Sequence, residues 1–92
     1  MSLTREAVLI VNQALSGTEV AYVIPANVQI VRFRANGGAL TLATTSGGAT
    51  WTLADTESIT LEVPGAGGET IYMDGIGTME IMLHKGVVHL MR

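Results

Sequence analysis

The chain has 92 residues, enough for one domain with a thin core. Hydrophobic residues make up 48% and charged residues only 14%, against ~25% in an ordinary domain. The net charge of −3, with only five Lys and Arg and no run of them, excludes the basic patch of a nucleic-acid binder, and the absence of Cys excludes disulfides and thiolate metal sites.

Residues 1–5 are polar and read as an arm. Residues 6–15, EAVLIVNQAL, put Ala7, Leu9 and Val11 on one face of a strand and Val8 and Ile10 on the other. Apolar residues on both faces mean a strand covered on both sides, by its own core or by another subunit. The β-branched Val8, Ile10 and Val11 favour a strand. A short helix capped by Thr4 and stopped at Gly17 is the alternative. The domain plan is therefore an N-terminal arm or first strand, 1–15, followed by a β-domain, 16–92.

Ser16-Gly17-Thr18 predicts a turn, and EVAYVI (19–24) a strand ended by Pro25, which has no N–H to donate. VQIVRFRA (28–35) is the clearest strand. It places Val31 and Phe33 on a core face, and Val28 and Ile30 with Arg32 and Arg34 on the other. Asn36-Gly37-Gly38 predicts a hairpin turn, because Asn and Gly accept positive φ. Then come ALTLATT, a turn at Gly47-Gly48, and ATWTLA, where Trp51 and Leu53 share a face and Trp51 is expected in the core. After the Asp55 to Ser58 turn, ITLEV alternates Ile59, Leu61 and Val63 inward with Thr60 and Glu62 outward. Residues 64–68 are loop. ETIYMD places Ile71 and Met73 on one face, and Asp74 to Gly77 reads as a turn. TMEIML places Met79, Ile81 and Leu83 against Glu80 and Met82, and VVHLM follows Lys85-Gly86 as a last strand.

Eight or nine short strands at regular spacing predict an all-β fold, an antiparallel β-sandwich of jelly-roll type. A mean hydropathy of +0.41 exceeds what so small a domain hides inside. The excess predicts an exposed apolar patch and hence a built-in partner, including a homo-oligomer, trimer or dimer. No apolar run approaches the ~20 residues of a membrane span, so no membrane partner is expected. The apolar core of the N-terminus, Ala7 to Val11 with Glu6 before it, is too short for an export signal.

No catalytic constellation stands out, and no enzyme activity or cofactor is expected. His84 and His89 flank the Lys85-Gly86 turn, and Glu80 shares a face with His84, but zinc needs three such ligands in place. Asp55 and Glu57 offer two acids where calcium takes ~6–8 oxygens; bonding to local backbone is the simpler role. GAGGET (65–70) lacks the lysine and helix of a phosphate loop. Trp51, Tyr22 and Tyr72 are the aromatics able to stack on a sugar ring. Arg32 and Arg34 present two planar forks on one strand face, suited to carboxylates of a neighbour. With Val8 and Ile10 they form the expected interface set.

Residues 22–86, from YVIPANVQIVRFRANGGALTLATT through GGATWTLADTESITLEV to ETIYMDGIGTMEIMLHKG, resemble small virion proteins of tailed bacteriophages, in particular capsid decoration (cement) proteins. The resemblance implies a structural protein of the virion, put together in the host cytoplasm. It implies binding to the major capsid protein or other virion subunits, and no catalytic residues. A carbohydrate- or receptor-binding module, or another head- or tail-associated component, is the alternative.

Overall fold

A computed structural model describes residues 8–63 and 67–85. Seven strands are present: β1 (Val8–Ser16), β2 (Val20–Val23), β3 (Val28–Asn36), β4 (Leu40–Ala43), β5 (Thr50–Leu53), β6 (Ser58–Glu62) and β7 (Thr70–Lys85). All pairings are antiparallel, and the strands form one curled sheet, a half-barrel, with no helix among the described residues. The expected all-β antiparallel class holds. The expected last strand, 87–91, and the arm, 1–5, lie outside the described residues.

The 16-residue β7 organises the sheet. Its first half pairs with β2 on one side and β4 on the other. Its second half pairs with β1 and β3. β5 then adds to β4, and β6 to β3. Residues 8–16 form a strand, as their β-branched content favours, rather than a helix.

Three expected turns have other roles, while Asp55 to Ser58 is the expected turn, closed by the Glu57 N–H on the Ala54 carbonyl at 2.9 Å. Asp74 to Gly77 does not end a strand. Gly75 (φ 119) and Gly77 (φ 149) bend the backbone while the ladder runs on, so two expected strands are one. Asn36-Gly37-Gly38 does not close a hairpin, because β3 and β4 both pair with β7 and not with each other. Ser16-Gly17-Thr18 likewise joins two strands lying along the same side of β7. Asp55 to Ser58 joins β5 and β6, whose partners are β4 and β3.

The pairing registers explain these sites together. Ser16 faces Ile76 and Val20 faces Met73, so residues 17–19 lie against 74–75 with one residue to spare. Asn36 faces Thr78 and Leu40 faces Gly75, so 37–39 lie against 76–77 with one to spare. An extra residue bends a strand and deepens its twist. Both neighbours of β7 thus bend where β7 bends, and the three ribbons turn one corner together. The Gly17 N–H donates to the Gly75 carbonyl at 2.8 Å across it. Outside the corner, the Gly37 N–H donates to Asp55 Oδ1 at 2.9 Å, and the Thr56 N–H to the Ala35 carbonyl at 2.8 Å.

Beyond the corner the sheet curls back on itself. β2 ends opposite Thr70 and β3 begins opposite Lys85, the two ends of β7. A straight strand of that length would hold them ~50 Å apart, whereas the link from Val23 to Val28 reaches ~18 Å at most. The inner faces of both halves therefore share one core. Val31, Phe33, Met79, Ile81 and Leu83 come from one half, and Leu40, Leu42, Leu53, Ile71 and Met73 from the other. Phe33 is fully buried, in a cross-strand row with Val11, Ile81 and Ile59.

Two side chains depart from the sequence pattern. Val28 was expected beside Ile30 and the arginines, but it is fully buried. The register shifts between Val28 and Ile30, and the irregularity turns Val28 inward. Trp51, expected in the core with Leu53, is 62% exposed while Leu53 is buried. β5 is an outer strand of four residues, and nothing among the described residues covers its free side.

Candidate contact surface

The outer face of the half built by β1, β7, β3 and β6 collects the residues expected to act. Period-two alternation sends Val31 and Phe33 inward, so Ile30, Arg32 and Arg34 must point out. The order of the strands then sets their neighbours. Ile10 lies opposite Met82, Met82 opposite Arg32, and Arg32 opposite Thr60. The next outward row reads Asn12, Glu80, Arg34 and Ser58, and the row on the other side reads Val8, His84, Ile30 and Glu62. Val8, Ile10, Arg32 and Arg34 thus share one surface, with Ile10 the most exposed of its apolar members at 65%.

Between these rows lies a groove of ≈510 Å³, with Ile10 and Met82 as its apolar part and Arg32, Arg34, Ser58 and Glu80 as its polar part. The two arginines differ in their pairing. Arg34 Nη1 lies 3.3 Å from Glu80 Oε1, and Asn36 Nδ2 donates to Glu80 Oε2 at 2.9 Å. Both oxygens of that carboxylate therefore have partners. Arg32 has only a neutral one: Nε and Nη2 donate to Ser58 Oγ at 3.2 and 3.1 Å. Among the described residues no carboxylate lies within 4 Å of the Arg32 guanidinium. The Ser58 bonds aim its planar fork while its charge stays uncompensated, and such a fork accepts a carboxylate in bidentate fashion.

Sequence reasoning did not single out Met82 or Thr56, which also line this groove. Alternation alone puts Met82 outward, but only the β1–β7–β3 order puts it between Ile10 and Arg32.

The other candidates separate. Glu80 and His84 share the outer face of β7, while His89 lies outside the described residues. Among the described residues no three metal-binding side chains converge. Glu57 Oε1 accepts from the Ala54 N–H at 2.8 Å, a local backbone bond as expected, whereas Asp55 accepts from the Gly37 N–H, 18 residues away, and so ties the turn after β5 to the end of β3. Trp51 opens onto a second groove, of ≈340 Å³, between the β5 and β6 edges, with Leu42, Ile59, Leu61 and Ile71. Tyr72 is on the opposite side of its sheet, in the row of Ala43 and Thr50, so the two aromatics do not form one platform. Tyr22 is part-buried against the core, and loss of solvent raises its phenol pKa above 10.0. Glu19 accepts from the Ser46 hydroxyl through Oε1 at 3.2 Å and keeps Oε2 buried with no partner among the described residues.

No family model, curated protein or solved structure matches this chain.

Proposed function

We propose that this chain is a non-enzymatic structural subunit of a tailed-phage particle, a decoration protein that seats on the major capsid protein or another virion subunit. Its place is the virion, assembled in the host cytoplasm. The observation that carries the proposal is the groove beside Arg32. An oriented guanidinium with no carboxylate partner among the described residues sits next to the exposed Ile10 and the half-buried Met82. That combination suits a partner segment presenting an acidic side chain beside an apolar one. Many copies binding weakly to one shell hold by avidity, so a shallow site suffices.

The proposal includes a finer fold. The two halves are read as the facing sheets of a jelly-roll sandwich. The pairings give the orders β1–β7–β3–β6 and β2–β7–β4–β5, with β7 counted once in each sheet. Strands numbered in chain order, with β7 counted as a seventh and an eighth, then give the sheet orders 1-8-3-6 and 2-7-4-5 of a jelly roll, an arrangement frequent in capsid and lectin domains.

Co-sedimentation tests the function. Purified protein mixed with undecorated phage heads is expected to pellet with them, and Arg32→Glu is expected to stay in the supernatant while keeping its thermal melt. Wild-type protein that never pellets, or a variant that pellets equally, refutes the proposal.

The exposure of Trp51 favours a second reading, a glycan- or receptor-binding module. An indole half out of a groove can stack on the apolar face of a sugar. A glycan array that yields a binder whose signal vanishes in Trp51→Ala supports that reading, and an array without binders removes it.

A further inference from the structure

We propose that β1 is a dimerisation edge, where a second copy of this chain lays its own β1 antiparallel across a twofold axis. The inference stands on the edge strand and does not depend on shell binding.

The sheet has four strands with a free side among the described residues: β1, β2, β5 and β6. Natural sheets blunt such edges by keeping them short, by bulges, by Pro or by charge. β2, β5 and β6 have four, four and five residues, and β2 runs into Pro25 within two residues of its end. β1 has none of these devices. It is nine residues long, VLIVNQALS, without charge, Pro or Gly, and its register against β7 runs without a shift from Val8 to Ser16. Its first three side chains, Val8, Leu9 and Ile10, are 41%, 40% and 65% exposed. A long, regular and apolar free edge is a template for another strand.

Charge selects a second copy as that strand. The chain has a net charge of −3, so most surfaces repel their own image. β1 laid on β1 brings no like charges opposite each other, a pairing that destabilises a sheet. Antiparallel pairing about a twofold also uses both β1 edges and closes at two copies, whereas head-to-tail pairing would leave an edge free and grow. Nine residues at ~3.4 Å make an edge of ~30 Å. That is fewer than the ~20–30 residues a side of a standard interface, so the dimer is expected to be weak, with a dissociation constant in the micromolar range.

Sedimentation velocity over roughly two decades of concentration around that range tests the proposal. The wild type is expected to pass from monomer to dimer. Ile10→Lys places a charge on the edge at an exposed site, so it is expected to weaken association at least ~10-fold, with an unchanged melting temperature. Trp51→Lys, on the other side of the molecule, is expected to dimerise like the wild type. Hydrogen exchange at high concentration is expected to protect β1 amides in the wild type and not in Ile10→Lys. A wild type that stays monomeric overturns the proposal. So does a trimer, or association lost in Trp51→Lys and kept in Ile10→Lys.

Discussion

Replacing Gly77 by Ala tests whether one shared corner holds the sheet in its curl. Gly77 has φ 149, a conformation L side chains rarely adopt, and an added Cβ would lie 2.8 Å from the Asn36 carbonyl oxygen. Strain at such a φ costs ~1–3 kcal/mol. The overlap is with backbone, which cannot rotate away, and forcing β3 aside adds ~1–3 kcal/mol. Ala also narrows the unfolded ensemble, which offsets ~0.4–1 kcal/mol. The net loss is about 2–4 kcal/mol, out of the ~5–14 kcal/mol expected for a chain of this length. At ~4–8 °C per kcal/mol the midpoint should fall by ~10–30 °C. Gly47→Ala is the control, since Gly47 has φ 69 but nothing within 4 Å of its added Cβ. Its cost is left-handed strain alone, within ~1 kcal/mol after the same offset. Far-UV circular dichroism melts of both variants decide the matter. If Gly77→Ala melts within a few degrees of Gly47→Ala, the corner is not tightly packed and the account of the bend is wrong.

Three further outcomes follow from the packing and the charges. Phe33→Ala is expected to lose ~3–5 kcal/mol in urea unfolding with an unchanged m-value, and a loss under ~1 kcal/mol would contradict its buried place in the Val11, Ile81 and Ile59 row. Arg34→Ala removes a pair whose side chains are 51% and 30% exposed, so it should cost less than ~1 kcal/mol, and the difference should shrink in high salt. Burial favours the neutral phenol of Tyr22 in the folded state, so its contribution is complete below pH 10.0 and is lost as pH rises through the higher folded pKa. Denaturation at increasing alkaline pH should therefore show a decline that Tyr22→Phe lessens, and an identical decline in both proteins would remove Tyr22 as its source.

Local pattern made the faces of this sheet legible. ITLEV and TMEIML alternate cleanly, and Val63, Met79, Ile81 and Leu83 are buried as that alternation requires. The pair Val31 and Phe33 marked the core side of β3, which sent Arg32 and Arg34 outward. What strand pairs with what was not legible. Gly37 and Gly75 announce positive φ, but positive φ serves a hairpin and a bent continuous strand equally well. The choice depends on partners 35 to 60 residues away in the chain, from Leu40 opposite Gly75 to Ser16 opposite Ile76. The exposure of Trp51 has the same origin, since ATWTL reads like a core strand until β5 is known to lie at an edge. The contact surface was half legible for this reason. Alternation grouped Arg32 with Arg34 and Val8 with Ile10, while only the order β1–β7–β3 brings the two groups together.

The position of β7 also dictates a timetable for synthesis. β1 and β2 have no described partner except β7, although of the seven described strands they leave the ribosome first and it leaves last. Until β7 begins to emerge at Thr70, only β4 with β5 and β3 with β6 can zip, and the apolar N-terminal ribbon waits unpaired. Slow translation of the codons for β7 would lengthen that wait and raise the yield of aggregates, so a nascent chain stalled before Thr70 should recruit chaperones that the folded protein does not need.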